Sequence, residues 1–201
     1  MAKTETKSIY TLHPGFKMEA AGLRNLKERT GKTLEEWTAI LKKAGPATQK
    51  ERAAWLKEKH GITTNYAMWI AMNADGQGMA DSYDPEGMVE AMFAGPKAGL
   101  RPIYDQLLKL GFKLGKDVTV TPCKTIVPIR RRHVIAEVKP STRTRIDFGF
   151  ALGATKATGR LIDTGGFAKK DRITHKIPIT SLAEIDDEVK YWLKMAYDMD
   201  A

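Results

Sequence analysis

The chain has 201 residues, 42% of them hydrophobic and 28% charged, with a formal net charge of +9. That composition belongs to a folded globular protein rather than a disordered one, and the length allows one large domain or two small ones, each with its own core. The first residues lack the apolar segment of a secretory signal, and the longest apolar run, Tyr66 to Met72, falls far short of the ~20 residues of a membrane span. Cys123 is the only cysteine, which excludes an internal disulfide and a Cys-rich zinc site. A cytoplasmic protein with no membrane partner is expected, and a net positive charge of this size favours polyanionic partners.

Helical spacing dominates the first ~75 residues. Ala21, Leu23 and Leu26 mark a helix from Met18 to Arg29 that ends at Thr30-Gly31. Thr33 with Glu36 forms a capping box for a second helix carrying Leu34, Trp37, Ile40 and Leu41, and Gly45-Pro46 stops it. Thr48 caps a third through Ala53, Leu56 and Lys57 to Gly61, and Thr63 or Thr64 starts a fourth, NYAMWIAMNA. Trp37, Trp55 and Trp69 fall in different helices, and such spacing predicts that they meet in a small core. Residues 51–70 also have the form of a helix-turn-helix, with Thr63, Thr64, Asn65 and Met68 facing outward on its second helix.

The Gly-rich and polar stretch 75–83 reads as a linker between a helical module, 1–74, and a second domain, 84–201. Asp84-Pro85 caps a short helix with Met88, Val89, Met92 and Phe93, ending at Gly95-Pro96. Pro102 opens another, IYDQLLKLG, closed by Gly111. From Asp117 the period changes to two, giving strands around VTV, TIVPIR, HVIAEV, RIDFGFAL and HKIPIT. Pro128 and Pro178 suggest edges or bulges. Ser181 and Glu184 form a capping box for a last helix whose buried stripe is Leu182, Ile185, Val189, Trp192 and Ala196. The fold class is α+β: a small all-helical N-terminal module, then a two-layer sandwich of an antiparallel sheet with helices on one face.

Alternation assigns the faces. Ile146, Phe148 and Phe150 form one core row, and Val134, Ala136 and Val138 the next. His133, Ile135, Glu137, Lys139, Arg145 and Asp147 then face outward. Between Lys124 and Arg145 there are seven cations, Lys124, Arg130, Arg131, Arg132, Lys139, Arg143 and Arg145, against the single carboxylate Glu137. With Arg160 in the Gly-rich loop, they are the candidate anion-binding residues. Arginine forks match phosphate, so DNA or RNA held through its phosphates is the expected partner. The outer rows carry no aromatic on which bases stack.

Two alternatives stand beside this one. A homodimeric sandwich would use the same face or an edge strand for a protein or small ligand. Glu137-x-Lys139 with Asp117 upstream has the residue types of a Mg²⁺-dependent nuclease, a weak pattern in charged strands. No catalytic residues and no metal or cofactor ligands are otherwise assigned. His13, His60, His133 and His175 lie in separate elements, and no P-loop or nucleophile elbow occurs.

The stretches TGKTLEEWTAILKKAGP, KERAAWLKEKHGI, AGPKAGLRPIYDQLLKLG, PCKTIVPIRRR, STRTRIDFGFAL and THKIPITS, with EIDDEVKYWLKMAY, together resemble uncharacterised two-module bacterial proteins. These join a short helical domain of unknown function to a C-terminal domain of unknown function that also ends predicted nuclease and transport-annotated proteins. The resemblance implies a two-layer C-terminal domain, similar in element order to small DNA-associated or frataxin-like sandwiches. It supplies no catalytic residues.

Overall fold

The computed structural model describes residues 8–76, 78 and 83–201, so residues 77 and 79–82 of the expected linker lie outside the described residues. The chain divides into two compact units: Leu12–Tyr83, and residues 84–201 together with residues 8–11. Among the described residues no helix is long and apolar enough to cross a membrane.

The first unit contains α1 (Pro14–Arg24), α2 (Leu26–Thr30), α3 (Leu34–Ala44), α4 (Gln49–His60) and α5 (Thr64–Asn73). Its caps follow from the sequence. Thr33 with Glu36 and Thr48 with Glu51 each form a reciprocal box, and Gly61 ends α4 with a positive φ of 64° that favours glycine. The expected Met18–Arg29 helix is instead two helices broken at Asn25. Leu26, Leu41, Leu56, Ala67 and Ile70 close the core.

The tryptophans do not all meet. Trp37 is buried and donates from Nε1 to Thr30 Oγ1 at 2.8 Å. His60 sits edge-on to both Trp37 and Trp55, with centroids 5.1 and 4.6 Å away. Trp69 turns to the other side, over Gly22, where a Cβ would overlap its ring. Thr63, Thr64, Asn65 and Met68 are exposed, as the outward face of α5 requires.

The second unit is an α+β sandwich. It has α6 (Pro85–Met92), a 3₁₀ turn (Gly95–Leu100), α7 (Arg101–Lys113), six strands, and α8 (Asp187–Asp198). The strands are β1 (Thr119–Val120), β2 (Val127–Arg130), β3 (Val134–Pro140), β4 (Ile146–Phe150), β5 (Ile162–Asp163) and β6 (His175–Ile179). All pairings are antiparallel, in the order β1-β2-β3-β4-β6-β5. Leu107 and Leu108 of α7 and Val189, Trp192 and Leu193 of α8 pack with Ala136, Val138, Phe148, Phe150 and Ile177 in one core.

Four expectations are corrected by the structure. Ile135 is fully buried in that core rather than on the outer face. The register shifts at Ile129/Arg130, so Ile135 is the extra residue of a β-bulge, where strict alternation fails. Gly111 does not close α7, which runs on to Lys113. Leu182 is 52% exposed in a 3₁₀ turn, because α8 starts later on the Asp186 cap. Glu184 accepts from the amide and hydroxyl of Thr180, one residue before the expected Ser181.

Residues 8–11 extend the sheet unit beyond its expected start. The Thr11 amide donates to the Val120 carbonyl at 2.9 Å, and the hydroxyls of Tyr10 and Tyr104 bond at 2.9 Å. Tyr104 is wholly buried, and burial pushes its phenol far above the ordinary range. Tyr10→Phe leaves that buried hydroxyl without a partner and is expected to cost about 1–3 kcal/mol in urea unfolding. The Tyr10→Phe/Tyr104→Phe pair is expected to recover most of the loss; a double variant as unstable as the single one would show that the hydrogen bond is not the cause.

Candidate anion-binding surface

Antiparallel pairing takes the basic ribbon apart. β2 ends at Arg130, and Arg131, Arg132 and His133 form the turn into β3 at one end of the sheet. The β1–β2 turn, with Lys124, and the β3–β4 turn, with Arg143, lie at the opposite end. Residues close in sequence are therefore a strand length apart, and the seven cations do not form one patch.

At the arginine end the turn and Arg131 are tied to the C-terminal segment. Asp200 Oδ2 accepts from the backbone amides of Arg132 and His133, at 2.9 and 2.8 Å. Its Oδ1 lies 2.9 Å from His133 Nδ1 and 2.6 Å from Arg172 Nη2. Burial works against this carboxylate, but those donors hold it below its usual value near 3.8. Arg131 pairs with Asp117 at 2.7 Å, donates to the Tyr197 carbonyl at 3.2 Å, and lies over the Tyr197 ring. Arg132 Nη1 donates to the Ala201 carbonyl at 3.1 Å. These residues tie the β2–β3 turn to the end of α8.

Two further candidates are also engaged. Arg160 bonds Glu188 through Nε at 2.9 Å and Asp186 through Nη2 at 2.6 Å, fastening its loop to the start of α8. Arg145 Nε lies 2.9 Å from Asp147 Oδ1, without hydrogen-bond geometry. Arg131, Arg132, Arg145 and Arg160 are thus corrected from free cations to partners of carboxylates or carbonyls. The carboxylates Asp117, Asp186, Glu188 and Asp200 lie outside the stretch 124–145, which is why a local charge count misses them.

What remains lies at the opposite end. A groove of about 590 Å³ runs between the Gly95–Leu100 turn, the β1–β2 turn and the β3–β4 turn. Its charged lining is Lys97, Lys124, Lys139 and Arg143, with no carboxylate, and the Thr125 and Ser141 hydroxyls lie among them. Lys124 and Arg143 are exposed and form no ion pair with the described residues. Lys97 Nζ donates to the Pro140 carbonyl at 2.6 Å, which fixes its ammonium at the rim and leaves further N–H groups to donate. Lys97 has no signal in the sequence: it stands alone in AGPKAGL and reaches the groove only through the fold. Arg130, at the far end of β2, is half-buried and not part of this lining.

The nuclease geometry is not assembled. Asp117 is bound by Arg131 and by the Tyr197 hydroxyl at 2.8 Å, and it does not line the cavity that holds Glu137 and Lys139. Among the described residues no three His, Cys, Asp or Glu side chains converge as a metal site. Burial raises the Cys123 thiol, opposite to the shift a reactive cysteine needs.

A domain of unknown function, DUF5655, matches residues 89–200, which is more than half of the chain. The chain belongs to the DUF5655 family. A second domain of unknown function, DUF4287, matches residues 19–76, within the helical unit. Neither description names an activity, and no curated protein and no solved structure matches. The groove falls wholly inside the DUF5655 region.

Substitutions are expected to separate the two ends. Asp200→Ala removes an acceptor that is 4% exposed and leaves two amides and Arg172 without it, for an expected loss of about 2–4 kcal/mol in urea unfolding. Arg143→Ala should leave the urea midpoint unchanged. Because the folded Asp200 carboxyl titrates below 3.8, its stabilisation is complete above that pH and is lost as pH falls through the lower folded value. Wild type should therefore lose more stability on acidification from pH ~5 to ~2 than Asp200→Ala does.

Proposed function

We propose that this protein acts in the cytoplasm as a non-enzymatic nucleic-acid-associated protein, and that it holds the sugar–phosphate backbone in the groove of the DUF5655 domain. One observation carries the reading: four cations, Lys97, Lys124, Lys139 and Arg143, line a concave surface that contains no opposing carboxylate. Arg131, Arg160, Arg172 and Lys176 of the same domain are, by contrast, matched to carboxylates of the chain. An unmatched cluster repels itself and raises the free energy of the fold, and phosphates relieve that repulsion by displacing the cluster's loosely held anions and shedding their own counterions.

The groove supplies one guanidinium fork, three ammonium groups and two hydroxyls, which is the donor set of backbone contacts rather than of base reading. With about four phosphates neutralised, log affinity for duplex DNA should fall with log salt at a slope of about −3.6, and less steeply for single strands. Fluorescence anisotropy with labelled DNA and RNA across a salt series measures it. Replacing Lys97, Lys124, Lys139 and Arg143 together by Ala should abolish both the binding and its salt dependence while leaving the circular dichroism spectrum unchanged. Replacing Arg132 alone should leave the slope as it is. Binding that is undetectable, or independent of salt, would remove the reading.

A further inference from the structure

The outer face of the sheet carries a second cavity, of about 470 Å³, which shares Lys139 with the groove. Gly149 of β4 forms its floor. A Cβ there would stand 2.7 Å from Ile173 Cγ2 and 3.0 Å from Glu137 Cγ, so the absence of a side chain lets Ile173 and the Glu137 stem pack directly over the buried backbone of β4, which fixes the carboxylate beside an apolar wall. Part of the charge around it is already matched, and Asp171, which forms no ion pair among the described residues, is exposed to solvent. Asp147 is held ionised, against its burial, by Lys176 at 2.9 Å and by the nearby Arg145. Arg172 bonds Asp200 and, through Nε, the Val134 carbonyl at 2.7 Å.

Glu137 differs. It is half-buried, and among the described residues its carboxylate accepts no hydrogen bond and forms no ion pair, with Lys139 the cation that acts on it. Burial raises its pKa and Lys139 offsets part of that rise. A desolvated carboxylate without donors is costly to the fold, so a ligand that brings donors gains what the protein lacks. It stands two residues from Lys139, on the same face of β3, at the junction of cavity and groove.

We propose that this cavity receives the base of a single-stranded nucleotide whose phosphate lies in the groove, and that the base is guanine. This rests on the phosphate reading of the groove. A carboxylate offers two acceptor oxygens side by side, and guanine presents N1–H and N2–H side by side on its Watson–Crick edge, so two parallel charge-assisted bonds form. Adenine and cytosine set one amino group beside a ring acceptor, and uracil sets one N–H between two carbonyls, so each brings lone pairs against the carboxylate. Ile173, packed over Gly149 beside the carboxylate, supplies an apolar contact for the base. The volume is within the ~300–1,000 Å³ of small-molecule sites. Only a single strand leaves that edge free, since pairing covers it in a duplex.

The test compares labelled GU, AU and CU repeats with oligo-U, and the matching DNA repeats, at low salt. The GU repeat should bind at least about fivefold more tightly than the other three. Glu137→Gln keeps the shape but turns one acceptor into a donor, and should bring GU to the level of the rest. Competition by guanosine monophosphate against adenosine monophosphate on the unmodified protein gives the same comparison without any variant, and guanosine monophosphate should displace the GU repeat at lower concentration. Equal binding of the four repeats, with salt dependence intact, would overturn the base assignment and leave the phosphate reading standing. A GU preference that survives Glu137→Gln would overturn it as well. Failure of every repeat to bind would remove both.

Discussion

Asp200, buried at the end of the chain, is the acceptor around which the basic residues of the sheet domain are sorted. Two backbone amides, His133 and Arg172 converge on its two oxygens, and Arg131 reaches past it to the Tyr197 carbonyl. The contact closes the domain, because it ties the β2–β3 turn to the end of α8, whose apolar side covers the sheet. An arginine run that looks like a binding ribbon is therefore a clasp. Once the clasp is made, Arg131 and Arg172 are matched to Asp117 and Asp200, and the cations that share a groove without a carboxylate are at the other end of the strands.

That division gives the two surfaces different chemistry. The polar side chains of the groove at the β1–β2 and β3–β4 turns are cations and hydroxyls only, which suits an anion recognised by charge. The neighbouring cavity holds matched pairs, the solvent-exposed Asp171 and the half-buried, unmatched Glu137, which suits a ligand with paired donors. Lys139 belongs to both, which is what would let a nucleotide's phosphate and base meet the two surfaces at once under the proposal above. Backbone contact alone would leave the protein indifferent to sequence; in the proposal it is the carboxylate that would turn an electrostatic surface into a selective one.

The helices, their capping boxes at Thr33 and Thr48, and the antiparallel sheet with Phe148 and Phe150 inward were legible because periodicity and cap chemistry are local. The bulge at Ile135 was not, since a register shift is decided by the partner strand. Nor was the fate of the arginines. The bonds of Arg131 to the Tyr197 carbonyl and of Arg160 to Glu188 span 66 and 28 residues, and nothing in a local stretch of sequence signals them. Lys97 escaped for the same reason, as a single lysine in a turn that only the fold brings beside Lys124 and Arg143. Outward placement of Glu137 and Lys139 followed correctly from alternation, and their different environments required the neighbouring strands.

Lysine footprinting asks most directly whether the chain's cations are divided in this way. The protein is acetylated lightly with and without a single-stranded oligonucleotide, and modification at each lysine is read by mass spectrometry. Lys97, Lys124 and Lys139 should be shielded by the oligonucleotide, while Lys190 and Lys194, paired with Asp187 and Asp198 on α8, should react equally in both samples. Shielding spread evenly over all five, or confined to α8, would contradict the account.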